Sequence, residues 1–463
     1  MCRQSDVDKY NVAVLASGGL IDTLAAIRAG LMPIWGSDID SRMQTLWHNL
    51  VGNHCYGDTF QLHTDTLRRP KVLKTGFPCQ NYCVGLGNGT GMAGDTGYMY
   101  IKQAETILQL SPDVAIIEQT NGVLSIDGGK AATILMDKLS TDYVTHSAEI
   151  PVWRYGDVSH RSRFIIVAVN KRLGNAADTY QFPRTAYDNT RYPVAADIAV
   201  QDEEVPEEYW LHGEPDEIYH WREPNPGKIH HIGNYGAGAG NCNSPHPLQT
   251  WCGLPNTQLT SNGGARRVML SWEPGDQIEW TRLTTPVETA RMASISETYV
   301  HWLEQMGYDD AFIRLCINNG VPMRTSAAID QSVIELLQTA GIQPDVPANV
   351  DEQEQAAFQS RKIWDIQRHS EYDYVRSMLV DTGATGSLNW VDLEWALTNS
   401  RPSQYKIAVA KGDTTMNGSK DGRLNVQVLN TASQHGIGYS TPFRFDTTIV
   451  RGLRTELLSL DVP

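Results

Sequence analysis

A chain of 463 residues has room for roughly two to four domains. Its 41% hydrophobic and 20% charged residues exclude a collagen-like, coiled-coil or largely disordered chain. The 53 acidic against 38 basic residues give a net charge of −15, which argues against a partner held by diffuse phosphate attraction unless the cations are concentrated in one place.

No uncharged apolar run reaches the roughly 18 residues of a membrane-spanning helix. No apolar core follows Met1-Cys2-Arg3-Gln4-Ser5-Asp6 as in a signal peptide, so a cytoplasmic protein without membrane attachment is expected. Seven cysteines do not form a disulfide framework in a chain of this length. Cys79 and Cys83 lack a second pair at zinc spacing, so no metal site is expected.

The elements then follow in order. Asn11–Ala16 is a short apolar run ending in Ser17-Gly18-Gly19. A helical pattern through Leu20, Leu24, Ile27 and Arg28 closes at Gly30, and a second strand, Met32–Trp35, ends in Ser37-Asp38-Ile39-Asp40. Val72–Thr75 precedes Gly76, and a helix is predicted over about 98–110. Val114–Ile117 is a buried strand ending at Glu118, and Phe164–Val169 is another. Strands alternating with helices at this spacing predict an α/β fold, an open, mostly parallel, doubly wound sheet over residues 1–185.

From about 186 to 275, Pro, Gly, His, Trp and acidic residues mark a loop-rich, β-leaning insertion. Helical pattern returns at 286–306 and 323–338, within a segment 276–340 that belongs with the first domain. A polar stretch, 341–356, reads as a linker, and the C-terminal extension, 341–463, as a small α+β unit with strands near 405–410, 424–429 and 442–449.

Three features of the first domain fit a nucleotide-like cofactor. Gly18-Gly19 sits at a strand-to-helix turn where the backbone can approach a ligand. Asp38, 20 residues after Gly18, and Asp58, after Gly57, stand at strand ends where carboxylates accept from ribose hydroxyls. Ordinary α/β turns share these features. Gly76-Phe77-Pro78-Cys79-Gln80 is sharper, because it places a thiol on a turn at the carboxyl end of the sheet. Glu118 ends the next strand, and Arg161 and Arg163 lead into another. A thiolate, a carboxyl able to act as acid and two guanidiniums suit covalent attack on a polarised ring.

In motif order over about residues 10–335, the sequence resembles the cytosine-5 DNA methyltransferases of bacteria and phages. Val14-Leu15-Ala16-Ser17-Gly18-Gly19 is a degenerate form of that family's Phe-x-Gly-x-Gly-Gly turn. Gly57-Asp58-Thr59 stands for its Gly-Asp-Ile, Pro78-Cys79-Gln80 for its nucleophile loop, and Glu118-Gln119-Thr120 for its Glu-Asn-Val. Ser159-His160-Arg161-Ser162-Arg163 resembles Gln-x-Arg-x-Arg, Arg282–Glu288 resembles Arg-x-Leu-Thr-Pro-Arg-Glu, and Asn318–Pro322 resembles Gly-Asn-Ala-Val-Pro.

The resemblance implies a Rossmann-like domain that binds S-adenosyl-L-methionine through Val14, Ala16, Gly18, Gly19, Asp38, Ile39, Asp58, Thr59, Pro78, Met99, Asn319 and Val321. It implies catalysis by Cys79, Glu118, Arg161 and Arg163 on a cytosine flipped out of double-stranded DNA. It makes 186–275 the target-recognition domain, with Ile232–Gly240 as a glycine-rich recognition loop. The sequence sets no oligomeric state.

Several positions depart from the family. Gln119 and Ser159 replace Asn and Gln, Cys83 replaces Ser, and Val14 replaces an aromatic. A relative that uses another sulfonium donor, a noncatalytic DNA-binding regulator and an RNA substrate are the alternatives these leave open. Between Arg184 and Arg282 there are seven basic and fourteen acidic residues. Arg266 and Arg267 are the local candidates for phosphate contact, and Asp202-Glu203-Glu204 reads as a solvated run away from DNA. The histidines at 212, 220, 230, 231 and 246 are too irregularly spaced for a metal site. Asp381-Thr382-Gly383 lacks the second such turn that an aspartic-protease site requires.

Overall fold

The computed structural model describes residues 9–76, 82, 91–93, 98–187, 192–211, 217–218, 227–235, 246–257, 268–271 and 280–345, together with five strands beyond residue 403. Two compact units divide the chain at Trp364.

In the first unit the chain runs β1 (Asn11–Leu15), α1 (Ile21–Ala29), β2 (Met32–Ser37), α2 (Ser41–Leu50), β3 (Cys55–Tyr56), β4 (Val72–Gly76), α3 (Met99–Leu110) and β5 (Val114–Thr120). It continues through α4 (Gly122–Ser125), α5 (Lys130–Leu139), β6 (Tyr143–Pro151) and β7 (Ser162–Asn170). All five residues of β1 are buried, as expected of a central parallel strand covered on both faces. Local chemistry sets several boundaries. Gly30, at φ 104°, ends α1 by donating its N–H to the carbonyls of Ala26 and Ile27. The Asp40 side chain starts α2 by accepting from the Arg42 N–H.

These strands form one sheet in the order β3-β2-β1-β4-β5-β7-β6. The first five are parallel, and β7 runs antiparallel between β5 and β6. The expected doubly wound, mostly parallel sheet is therefore present. On one face, Leu73, Ala115 and Ile117 pack in a core with Tyr100, Ala104 and Ile107 of α3 and Leu135 and Leu139 of α5. The other face carries α1 and the long helix α9 (Met323–Thr339). Strand order reverses beside β1, which opens a crevice at the carboxyl ends of β1 and β4.

The inserted region, together with residues 280–283 of the segment that follows it, builds a six-stranded sheet. Its strands are β8 (Trp210–Leu211), β9 (Glu217–Ile218), β10 (His231–Tyr235), β11 (His246–Thr250), β12 (Val268–Ser271) and β13 (Trp280–Leu283), in the order β8-β13-β12-β11-β10-β9. Four helices follow: α6 (Pro286–Met292), α7 (Glu297–Gln305), α8 (Asp310–Asn319) and α9 (Met323–Thr339). The single helical pattern over 286–306 is broken in two by Ser294, at φ 56°, after which the Ser296 side chain caps α7. Helices α2, α5 and α8 and strand β6 are additions to the sequence-based reading.

In the second unit, Asp365–Pro463, the described residues are strands: β14 (Gln404–Val409), β15 (Gly412–Gly418), β16 (Leu424–Asn430), β17 (Gly438–Tyr439) and β18 (Phe443–Phe445). Antiparallel pairing runs β14-β15-β16-β17, with β18 also on β16. Asp381-Thr382-Gly383 lies outside the described residues.

The two glycines of the β1–α1 turn have different surroundings. A Cβ on Gly18 would meet nothing nearer than the Ala16 carbonyl at 4.0 Å, whereas one on Gly19 would lie 2.3 Å from the Cys316 carbonyl oxygen and 2.4 Å from its Cα. Gly19 thus lets α8 close onto the turn, and its own carbonyl accepts from the Tyr299 hydroxyl at 2.5 Å. Gly19→Ala is expected to force α8 outward and cost about 1–3 kcal/mol, measured as a fall in the denaturant midpoint. An unchanged midpoint would show that α8 yields freely.

Candidate active site

Every other residue of the β1–α1 turn is left-handed: Ala16 at φ 52°, Gly18 at 51° and Leu20 at 66°. Two of the three carry side chains, so backbone strain of order 1–3 kcal/mol each is concentrated at this turn. Asp38 holds it from the end of β2. Its carboxylate is buried and accepts from the Gly18 N–H at 2.7 Å and the Asp40 N–H at 2.9 Å. Burial pushes the Asp38 carboxyl above its ordinary range, although those two N–H groups pull the other way. A carboxylate offers about four lone-pair directions, so two donors leave it able to accept more.

Beyond β3, the Asp58 carboxylate caps the next turn by accepting from the Phe60 N–H at 2.9 Å. Thr59 is buried and shares a 2.7 Å hydrogen bond with Ser37. A Cβ on Gly57 would meet nothing within 4 Å. Ile39 and Tyr98, 79% and 53% exposed, are the exposed large apolar side chains among the described residues. They follow β2 and precede α3 at this same rim, and Tyr98 lies 6.4 Å from the Phe60 ring. Two strand-end acids, an open glycine turn and exposed apolar surface fit a ligand with a planar ring and vicinal hydroxyls.

The catalytic candidates gather one strand away. Glu118 pairs in register with Gly76, and a Cβ on Gly76 would come within 3.1 Å of Glu118 Oε2. The carboxyl therefore lies over a strand position kept free of side chain. Arg163 Nε approaches Glu118 Oε1 at 2.6 Å, and both side chains are largely buried, at 12% and 17% exposure. Burial raises the Glu118 carboxyl to about 7 against the opposing pull of Arg163. At neutral pH it can thus carry a proton, as a general acid must.

Arg161 is also buried, and its Nε has no partner among the described residues. Its backbone is held between Ser159 and Val152. The preceding residue, His160, is stitched to the inserted region: its N–H donates to the Pro255 carbonyl at 2.8 Å, and its own carbonyl accepts from Thr257 Oγ1 at 2.9 Å. Burial, with Lys228 second, lowers the His160 imidazole from its ordinary range. Gln119, in place of the resembled family's Asn, accepts from the Tyr100 hydroxyl at 2.8 Å.

The other expected residues lie in β1 and its turn, at the start of α3 and at the end of α8. Val14 is buried inside β1, and Ala16 is half-buried in the turn. Met99 starts α3, half-buried. Asn319 is exposed at the end of α8 and Val321 buried beyond it. Between them, a Cβ on Gly320 would lie 3.0 Å from Ile21 Cβ, which places this segment against the start of α1. Pro78, Cys79, Cys83, Arg266, Arg267 and the Gly236–Gly240 run lie outside the described residues. Asp202, read from sequence as part of a solvated run, comes within 3.3 Å of the buried Arg282 Nε. No cluster of metal-ligating side chains occurs among the described residues, and no helix there is long and apolar enough to cross a membrane.

Sequence reasoning missed Phe60, Tyr98 and a buried ion cluster around Lys74. A signal for the last was present, since a lysine in the middle of Val72-Leu73-Lys74-Thr75-Gly76 must find a buried partner.

The sequence pattern of the family described as C-5 cytosine-specific DNA methylase matches residues 12–335. The Type II methyltransferase M.HhaI of Haemophilus parahaemolyticus is 24% identical over 183 residues, 39% of this chain and 54% of that protein. The Type II methyltransferase M.BsuFI of Bacillus subtilis is 23% identical over 35% of this chain and 39% of its own. This chain therefore spans about half the length or less of those two relatives. The Type II methyltransferase M.AplI of Arthrospira platensis is 26% identical over 294 residues, 63% of this chain and 76% of that protein. Among solved structures, the Entamoeba histolytica methyltransferase EhMeth shares the fold at TM-score 0.50 and 13% identity, over 72% of this chain and 98% of that one.

Proposed function

Because this chain belongs to the C-5 cytosine-specific DNA methylase family, we propose that it transfers a methyl group from S-adenosyl-L-methionine to carbon 5 of a cytosine in double-stranded DNA. The observation that carries the reading is the Glu118–Arg163 pair lying over Gly76, at the carboxyl ends of the strands from which Pro78-Cys79-Gln80 continues. Bound S-adenosylmethionine supplies an electrophilic methyl group. Gly18, Asp38 and Asp58, with the apolar surfaces of Ile39, Phe60 and Tyr98, would hold it.

Carbon 5 of cytosine is a poor nucleophile until carbon 6 is attacked. The Cys79 thiolate would form a bond to carbon 6, pushing the ring's electrons toward carbon 5 and nitrogen 3. Glu118 would place its proton on nitrogen 3, which its raised protonation range permits near neutrality. Arg163 would hold the carbonyl oxygen at position 2, and Arg161 would orient the loop. Once carbon 5 is alkylated, loss of its proton returns an electron pair to the ring and expels the thiolate. A paired base cannot reach these groups, so the cytosine must be flipped out. The region 186–275 would read the target. Its bonds to the His160 backbone connect that reading to Arg161 and to β7, which bears Arg163.

Nucleoside mass spectrometry of DNA from cells expressing the protein tests this. A gain of 5-methylcytosine that disappears in Cys79→Ser is expected. A Cys79-dependent cytosine of another mass would instead indicate a different donor. Unmodified DNA beside abundant folded protein would overturn the catalytic reading in favour of a binding protein.

A further inference from the structure

Lys74 stands in the middle of β4 with its side chain 4% exposed. Its Nζ lies 2.7 Å from Asp330 Oδ2 and 2.8 Å from Ser326 Oγ, both on α9. From α1, the Asp22 backbone carbonyl accepts from it at 3.1 Å, and Asp22 Oδ1 is 3.6 Å away. The Ser326 hydroxyl in turn donates to Asp22 Oδ1 at 2.7 Å. Asp330 is fully buried, and its Oδ1 has no hydrogen-bond partner among the described residues. One ammonium thus faces two carboxylates, an excess that a purely structural pair would not need.

The register places this cluster directly behind Glu118. Lys74 pairs with Ile116 and Gly76 with Glu118, and paired residues of neighbouring parallel strands project to the same face. Lys74 and Glu118 therefore share the α1/α9 face, two residues apart along the strand direction, roughly 6.6 Å. The Glu118 carboxyl lies over Gly76, so no side chain from that position intervenes. Arg163 from β7 and Asp22 from α1 are the charges that act on Glu118, while Lys74 from β4 and Asp330 from α9 pair with each other within the cluster on that face. Cys79, which follows β4, lies outside the described residues.

This arrangement addresses a conflict in the site. A guanidinium 2.6 Å from a carboxyl favours the carboxylate, yet the proposed reaction needs a proton on Glu118. We infer that Asp22, held by Lys74 and Ser326, is a positioning residue whose negative charge adds to burial in keeping the proton on Glu118 against Arg163. The inference rests on Glu118 being the acid of the proposed reaction. Burial is the larger cause of the raised Glu118 range, and the Asp22 carboxylate adds to it in the same direction. Lys74 fixes the two carboxylates in place, and Ser326 sets the orientation of Asp22.

The test uses the full-length chain without DNA and follows the infrared carbonyl band of protonated Glu118 through a pH titration. The band is identified by its loss in Glu118→Gln. Asp22→Asn keeps the shape of the side chain and its acceptor for Ser326 but removes the charge, and is expected to lower the midpoint by about half a pH unit or more. Ser326→Ala removes a hydrogen bond but no charge, and is expected to move the midpoint by less than Asp22→Asn does. Should Asp22→Asn not fold, as judged by circular dichroism, Asp22→Ser makes the same charge change and predicts the same direction. An unmoved midpoint in a folded Asp22 variant, or an equal shift in Ser326→Ala, overturns the inference. The pH–rate profile of methyl transfer to unmethylated bacterial DNA tests the underlying reading separately. Absence of an alkaline limb that vanishes in Glu118→Gln defeats Glu118 as the acid, whereas an unmoved infrared midpoint defeats only the role of the cluster.

Discussion

Glu118→Gln is expected to lower methyl transfer by about 10²–10⁴-fold while making the folded chain more stable at alkaline pH. The folded-state carboxyl is raised to about 7 from 4.5, so the native state binds this proton more tightly than the unfolded chain. That preference is fully present below pH 4.5 and is lost as pH rises through 7. Above pH 7 the wild type must hold a charged, largely buried carboxylate, a burden of about 3 kcal/mol. Glutamine carries no such charge at any pH. The melting temperatures of variant and wild type should therefore lie close at pH 5 and separate toward pH 8, with the variant higher. A constant difference across that range would show that the shift belongs to packing rather than to protonation.

Glu288→Ala is expected to be the most destabilising single change in the half of the first unit that carries the second sheet. Arg282 is fully buried, with Trp251 4.7 Å and Trp210 5.9 Å from its guanidinium. Its NH1 and NH2 donate to Glu288 at 2.8 and 2.6 Å. The same carboxylate accepts from the Thr285 N–H at 2.8 Å, completing a capping box at the start of α6, and from the Val200 N–H at 3.1 Å. Removing it leaves a buried guanidinium short of its main partner, a loss of about 3–5 kcal/mol, with about 1 kcal/mol more for the cap. The second carboxylate, Asp202, reaches only Nε and is partly exposed, so it cannot replace the pair. Hydrogen exchange should show protection lost first at residues 198–202 and in β8 and β13. The double variant Arg282→Met, Glu288→Leu should recover much of the stability, because it removes both charges together. A loss below about 1 kcal/mol for Glu288→Ala would mean that the pair is solvated in solution.

The elements legible in the sequence are those whose signals act over a few residues. Asn11–Leu15 reads as buried strand because its side chains are apolar throughout, and α1 ends at Gly30 because a left-handed cap favours glycine. Pro78-Cys79-Gln80, Glu118 and the two arginines could be proposed as a set, because motif order over residues 10–335 carries information that single residues do not, and the structure sets Arg163 against Glu118. Helix α8 escaped because its start and stop signals, Asp309 and Gly320, are separated by a pattern that includes Arg314, a buried cation bonded to Thr289 and the Thr284 carbonyl.

The sequence by itself determined the strand–helix alternation and which acids stand at the strand ends, since each depends on residue type and short-range hydrogen bonding. Tertiary structure alone decided how those groups are tuned. Gly19 serves α8, almost 300 residues on, and Lys74 finds Asp330 at a separation of 256 residues. Arg163 reaches Glu118 only because β7 runs antiparallel beside β5. A buried charge is governed by the partners and the dielectric around it, and those are set by which faces pack together, a relation that no local stretch of the chain contains.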